Sequence, residues 1–356
     1  MKYYRHKIHV VLFITGLMTV GCGAAEDPAM GGVAPDAMNT PGPVGDASVE
    51  MTMDQGVPAA MDVTCDAELV MPTGGTCDVT EGDANALLIR GTVLGATGTV
   101  RGGSVLIVDT VIQCVGCDCS THPSYESATR LECGTAVISP GLINPHDHLT
   151  FAEGTPIDHG TTRYEHRHEW RQALSTPSNA HGTGADSSGN RWGEIRMLLS
   201  GVTSYVGSGS ASGLVRNLDR LEDQDRDDGF EQVRFQTFSL GDANRRFRNN
   251  CQWDYRYTEQ EAADFAAFIP HVAEGINQYA QEEFRCQSTS FGGGQDFTEK
   301  NAAHIHSIGL TASDYYKMAR EETKLIWSPR SNISLYGTTA EIHIFDRVGG
   351  TIALGT

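Results

Sequence analysis

From residue 142 onward, short apolar runs alternate with longer stretches in which apolar and charged positions mix. Leu142–Asn144, Gly201–Val206, Val233–Leu240, Phe268–Pro270, Ala302–His306, Leu325–Ser328 and Thr351–Leu354 are of strand length and strand composition. Trp192–Ser200, Leu214–Leu221 and Thr258–Ala267 read as helices; the last opens with Thr258 as N-cap and Glu261 at the capping-box position. Strand–helix alternation predicts a parallel sheet with right-handed crossovers, closed into a barrel or left open and doubly wound. No Gly-x-Gly-x-x-Gly stands at a strand–helix turn, so a dinucleotide-binding sheet gains no support. Before residue 142 the texture differs. Ala86–Arg90, Thr99–Val100, Ser104–Ile112 and Ala136–Ser139 are short strands between Gly-rich turns, a small β unit of their own.

The N-terminus does not read as fold. Lys2, Arg5 and Lys7 flank an apolar run, Ile8–Val20, too short to span a bilayer comfortably, and Gly21-Cys22 follow. This resembles a bacterial lipoprotein signal with Cys22 as the lipid-bearing residue, although Thr19 stands where such signals usually carry Leu. The expectation is an exported protein held at a membrane surface, periplasmic or at the cell surface; an ordinary secretory leader would export it equally. Residues 23–62 lack any hydrophobic period and read as a disordered tether. The division expected is therefore residues 1–22 leader, 23–62 tether, 63–139 β-sandwich-like unit and 140–356 main domain.

Composition narrows the function. A chain of 356 residues with 39% apolar positions can bury a large core, and a net charge of −19 argues against a nucleic-acid partner. Eight cysteines follow Cys22, an even number that in an exported chain favours disulfides. Cys65–Cys77 and Cys251–Cys286 are the expected loops. Cys114, Cys117, Cys119 and Cys133 would form two more disulfides or hold a structural zinc, and export favours the disulfides.

The chemistry gathers at strand ends. Ser139-Pro140-Gly141-Leu142-Ile143-Asn144-Pro145-His146-Asp147-His148 runs an apolar pair into two histidines. On a strand the period of two places both imidazoles on one face, half of a transition-metal site. His271-Val272-Ala273-Glu274 follows another strand, giving a third nitrogen and a carboxylate at the expected start of a helix. His304-Ile305-His306-Ser307-Ile308-Gly309-Leu310 ends a third strand, and Ser328-Pro329-Arg330-Ser331-Asn332 a fourth. Ser331 and Asn332 would orient substrate or, the reading preferred here, cap the turn. His166 and His168 form a second His-x-His within charged residues, expected at the site mouth or in solvent. His122, His159, His181 and His343 have no partner pattern.

These four elements, in this order, resemble the amidohydrolase superfamily in its deaminase and chlorohydrolase branch, over about residues 86–356. The resemblance implies a (β/α)8 barrel with a small N-terminal β-sandwich unit. It also implies one divalent transition metal, zinc ahead of iron(II), on His146, His148 and His271. Glu274 would be the proton shuttle and His306 the group that polarises substrate, with His304 pointing the same way by period as the fallback. Such a site hydrolyses non-peptide C–N bonds of small molecules such as cyclic amides, amidines or aminated heterocycles. Binuclear members often bridge two metals with a carboxylated lysine, but no lysine stands between Lys7 and Lys300, which favours a single metal. Two departures follow. Only Val233–Leu240 is a clear strand between the second strand and the His-x-x-Glu strand, where the family has two; a cryptic one is sought within Asn244–Tyr257. The family's last metal ligand, an Asp after Gly-Thr, would come next after Gly355-Thr356, so the chain reads as a fragment of impaired activity that also lacks the last helix and the returning sandwich strands. The competing expectations are a tethered binding protein on an inactive barrel, and hydrolysis of a C–Cl or phosphoester bond at the same site.

Overall fold

A computed structural model describes residues 62–95, 98–153, 160–172, 184–220, 233–243 and 250–356. The expected leader with Cys22, nearly all of the expected tether, His159 and His181 lie outside the described residues. The chain divides into two compact units between Pro140 and Gly141.

The first unit contains β1 (Val63–Thr64), β2 (Asp78–Thr80), β3 (Asp83–Gly95), β4 (Gly98–Val108), β5 (Val111–Gly116) and β6 (Ala128–Ile138). They form one sheet in the order β1-β4-β3-β6-β2, with β5 on β4. Alternation along β3 and β4 sends Leu88 and Leu106 to one face, with Ala86, Cys119 and Ala128, and Ile89, Val93, Val105 and Ile107 to the other, with Cys133 and Ile138. The expected sandwich is thus, among the described residues, a single sheet with apolar clusters on both faces.

Disulfides join Cys65–Cys117, Cys77–Cys133, Cys114–Cys119 and Cys251–Cys286. The expected Cys65–Cys77 loop is replaced by two long-range links, because β2 pairs with β6 and carries Cys77 toward Cys133, while β1 pairs with β4. With all four thiols of Cys114, Cys117, Cys119 and Cys133 in disulfides, the alternative of a structural zinc falls away.

The second unit runs β7 (Leu142–His148), α1 (Arg167–Arg171), α2 (Ser187–Leu199), β8 (Val202–Ser208), β9 (Arg216–Asn217), β10 (Val233–Gln236), α3 (Glu259–Ala263), β11 (Ala267–Val272), α4 (Gln278–Cys286), β12 (Ala303–His306), α5 (Ala312–Arg320), β13 (Lys324–Trp327), α6 (Pro329–Tyr336), α7 (Ile342–Arg347) and β14 (Ile352–Leu354). All its strand pairs are parallel, in two ladders, β7-β8-β9 and β10-β11-β12-β13-β14. Past β14, the Thr356 N–H donates to the His146 carbonyl at 3.1 Å. The expected barrel, incomplete at its C-terminal end, is met in part: the strands are parallel and alternate with helices, and among the described residues, which omit 221–232, the two ladders do not join.

Leu214–Leu221, expected as a helix, instead supplies β9. Asn217 is buried, and its side-chain amide donates to the carbonyls of Gly207 (3.1 Å) and Gly209 (3.0 Å). The buried Glu194 carboxylate of α2 draws the same segment in, accepting from the N–H groups of Ala211 and Val215. This short strand is one that the sequence pattern did not show; residues 250–257 contain none, and 244–249, the rest of the range where a cryptic strand was sought, lie outside the described residues. The α3 capping box forms as expected, but the helix ends at Ala263 and β11 begins at Ala267.

Two apolar layers position the site. Outward-facing Val272 and Leu325 pack with Phe284, Tyr315, Met318 and Phe345 from the helices. Inward-facing Val206, Ile269, Ile305 and Ile326 form the other layer, with Phe235 and Ala353 against it. One step of two residues past Val206, Ile269 and Ile326 stand Ser208, His271 and Ser328. Gly207 lets β7 and β8 approach at this level: its φ is 143°, and a Cβ there would lie 1.9 Å from the Asp147 carbonyl oxygen.

Candidate active site

Strand periodicity aims Asn144, His146 and His148 of β7 at one face, and β11 delivers His271 to the same point. The three Nε2 atoms form a nearly equilateral triangle: His146–His148 3.2 Å, His146–His271 3.2 Å and His148–His271 3.3 Å. The second nitrogen of each ring has its own partner. His271 Nδ1 lies 3.2 Å from the Gln236 carbonyl, which only accepts, so Nδ1 carries the proton and Nε2 the lone pair. His146 Nδ1 meets Ser328 Oγ at 2.8 Å and His148 Nδ1 meets Ser208 Oγ at 3.3 Å, hydroxyls able to accept in the same way.

Three lone pairs facing one another repel unless a cation lies between them. A triangle of these edges has points about 2 Å from all three corners, the length of a zinc–imidazole bond. The residues thus fit a divalent metal. Burial pushes the pKa of His146 and of His271 well below the usual histidine value, with His306 adding to it in both cases. His148, at the rim, is pushed down to about 4, chiefly by desolvation and against the pull of the Glu274 carboxylate. All three are held neutral, as metal ligands must be. Phe235 stands against the trio, its ring centroid 5.3 Å from that of His271 and 5.7 Å from that of His148.

Glu274 is buried beside this group, but not in a helix as expected. It lies in the loop after β11, beyond Ala273 at φ 52°, and α4 begins only at Gln278 behind the Asn277 cap. The Arg167 N–H donates to the Glu274 carbonyl at 3.0 Å, which ties the loop to α1. The Tyr336 hydroxyl donates to Glu274 Oε1 at 2.8 Å, and Oε2 lies 3.6 Å from His306 Nε2.

His306 reaches the site through strained backbone. Ala303 and Ile305 take the inward positions of β12, so simple alternation would turn both His304 and His306 outward. At His306 φ is 69°, a left-handed value that breaks the alternation. Its ring centre then lies 5.0 Å from that of His146 and 5.2 Å from that of His271. His306 Nδ1 is 2.9 Å from Asn332 Oδ1. His304 does not share the site: it stays in the outer layer against Phe284, with Nε2 3.1 Å from the Phe297 carbonyl.

The Ser331 hydroxyl donates to the Ser328 carbonyl at 3.2 Å, within the first turn of α6. Asn332 is fully buried in α6 and orients the imidazole of His306, a part neither sequence alternative described. Ser208, Ser328, Phe235 and Tyr336 went unsingled in the sequence. For the first three a signal existed, since each lies on the inward face of a strand or one step past its end; Tyr336 left none.

The second His-x-His corrects an expectation. His166 and His168 are buried, not at a mouth or in solvent. Arg167 pairs with Asp242 and with Glu283, His166 Nε2 lies 3.1 Å from Glu283 Oε1, and His168 Nε2 lies 2.9 Å from Asp242 Oδ2. Both Nδ1 atoms act as acceptors, His166 from the His168 N–H (3.2 Å) and His168 from Arg171 (3.0 Å). Each Nε2 therefore carries its ring's proton, and neither imidazole has a lone pair to give a metal, although the two histidines and Glu283 lie close enough to be a ligand set. Desolvation raises the carboxyl pKa of Asp242, but Arg167 and His168 outweigh it and hold that carboxyl below its usual value. Two arginines and two carboxylates leave this cluster neutral overall.

No family model matches the sequence, and no curated protein matches it. Among solved structures, the chain is similar to the zinc-complexed atrazine chlorohydrolase of Arthrobacter aurescens TC1 (TM-score 0.48, 17% identity, covering 76% of this chain and 71% of that one). It is also similar to a zinc-bound adenosine deaminase from Xanthomonas campestris (0.45, 17%, 76% and 68%) and to the guanine deaminase of C. acetobutylicum with bound guanine (0.45, 12%, 76% and 74%). Similarity at this level concerns the course of the backbone and says nothing of the substrate.

Proposed function

We propose that this chain is a metal-dependent hydrolase that cleaves a non-peptide carbon–nitrogen bond in a small molecule. The observation that carries the reading is the triangle of Nε2 atoms from His146, His148 and His271. These residues would hold one divalent cation, zinc ahead of iron(II). Bound there, it supplies Lewis acidity and a water acidified to near-neutral pKa.

The chain's own residues do the rest. Glu274 takes a proton from the attacking water and returns one to the departing nitrogen. An amine leaves poorly without that proton, whereas chloride leaves as an anion; a carboxylate beside the three histidines therefore favours C–N cleavage over C–Cl cleavage. His306 has Nδ1–H committed to Asn332, so Nε2 is the nitrogen left to face substrate and steady charge that develops there. Phe235 gives the site an apolar wall suited to a planar ring. The disulfides support placing the protein in an oxidising compartment, in accord with export and a lipid anchor at Cys22.

The test is metal content together with turnover on a panel of cyclic amides, amidines and aminated heterocycles. About one metal per chain is expected, lost in His146→Ala. Glu274→Gln should keep the metal and lose about 10²–10⁴ in kcat. A chain that takes up no metal would instead be a binding protein on an inactive scaffold. Turnover confined to chlorinated or phosphoester substrates would move the reaction class while leaving the metal site intact.

A further inference from the structure

Tyr336 is the one side chain that hydrogen-bonds the Glu274 carboxylate among the described residues, and it does so from a different element. It stands in the last turn of α6, buried, and its hydroxyl donates to Oε1 at 2.8 Å. The phenol oxygen in turn accepts from Trp170 Nε1 of α1 at 2.8 Å. A donor that itself accepts is polarised and donates more strongly. Burial, followed by the Glu274 charge, pushes the Tyr336 pKa well above its usual value, so the hydroxyl keeps its proton throughout the working range.

The two oxygens of Glu274 are thereby made unequal. Oε1 is occupied by Tyr336, whereas Oε2 faces His306 Nε2 at 3.6 Å, beyond hydrogen-bond length. We propose that Tyr336, backed by Trp170, is a positioning residue that fixes the rotamer of Glu274 and leaves Oε2 as the oxygen that exchanges protons. This rests on the hydrolase reading above for its catalytic consequence, but the bond itself is testable without turnover. The charged or titratable groups around Glu274 are His306 of β12, Tyr336 of α6, Arg167 and Arg171 of α1 and His148 of β7. A Tyr336→Phe change leaves the other four in place.

The experiment compares crystal structures of wild type, Tyr336→Phe and Trp170→Phe for the side-chain conformation of Glu274. Metal content and melting temperature are measured alongside. The expected result is unchanged metal content, a Glu274 side chain that leaves its single rotamer in Tyr336→Phe, and a smaller departure in Trp170→Phe. On an active substrate, kcat should fall about tenfold in Tyr336→Phe with KM little changed, a fraction of the whole acid–base contribution. A Glu274 rotamer identical in all three proteins overturns the proposal, whether or not turnover is found. If wild type turns nothing over, the hydrolase reading fails while the Glu274 conformation still decides the role of Tyr336. Should Tyr336→Phe fail to fold, Trp170→Phe carries the same test alone.

Discussion

His304 shows how one buried residue sets a dependence on pH. Its ring is fully enclosed, and desolvation pushes its pKa down to about 4 from an ordinary value near 6.5. Above pH 6.5 the folded and unfolded chains are both neutral at this residue. Between about pH 6.5 and 4 the unfolded chain binds a proton that the folded chain refuses, so stability falls as pH falls through this window. The full effect is on the order of 3 kcal/mol. Denaturant unfolding of the metal-free protein at pH 7 and pH 4 should therefore show a smaller acid loss in His304→Gln than in wild type, by up to that amount. An equal loss in both would show that His304 titrates normally in the folded state. The same residue marks where the sequence was illegible. His304 and His306 share a strand and a periodicity, and only the left-handed backbone at His306 separates a core imidazole from a site imidazole. Backbone strain of that kind leaves no trace in the pattern of apolar and polar positions.

At the scale of elements, what stood out was the strands and their ends: His146, His148 and His271 came from apolar runs that became β7 and β11. What did not stand out was the packing that holds loops between them. The segment around α1 clamps the Glu274 loop from behind, with Ile276 N–H donating to the Glu165 carbonyl at 2.8 Å and Arg167 N–H to that of Glu274. That segment is anchored by Arg167 between Asp242 and Glu283, contacts that span 75 and 116 residues. Charged residues distributed this way read as surface until their partners are known. Removing one member of a buried pair leaves the other uncompensated, so Asp242→Asn should cost about 3 kcal/mol of stability by denaturant unfolding. The same variant should lower turnover through the loop without loss of metal. A variant as stable as wild type would mean that Arg167 finds its compensation elsewhere.

At the scale of the molecule, covalent links add to non-covalent packing. Cys251–Cys286 closes a 35-residue separation and ties the 250–257 segment to the end of α4. Replacing both cysteines with serine should lower stability by about 2–4 kcal/mol, read as a drop in melting temperature. No change would show that packing alone holds the segment. The fold class was legible because strand–helix alternation is a whole-chain property, whereas β9 was not, since its two residues are too few to register as a period. The central claim concerns three imidazoles far apart in sequence. X-ray absorption spectroscopy at the zinc edge on the zinc-loaded protein tests it most directly. One zinc per chain with three imidazole nitrogens at about 2.0–2.1 Å, falling to fewer or none in His271→Ala, is the predicted result. Zinc bound without imidazole scattering, or bound equally well after His271→Ala, would contradict it.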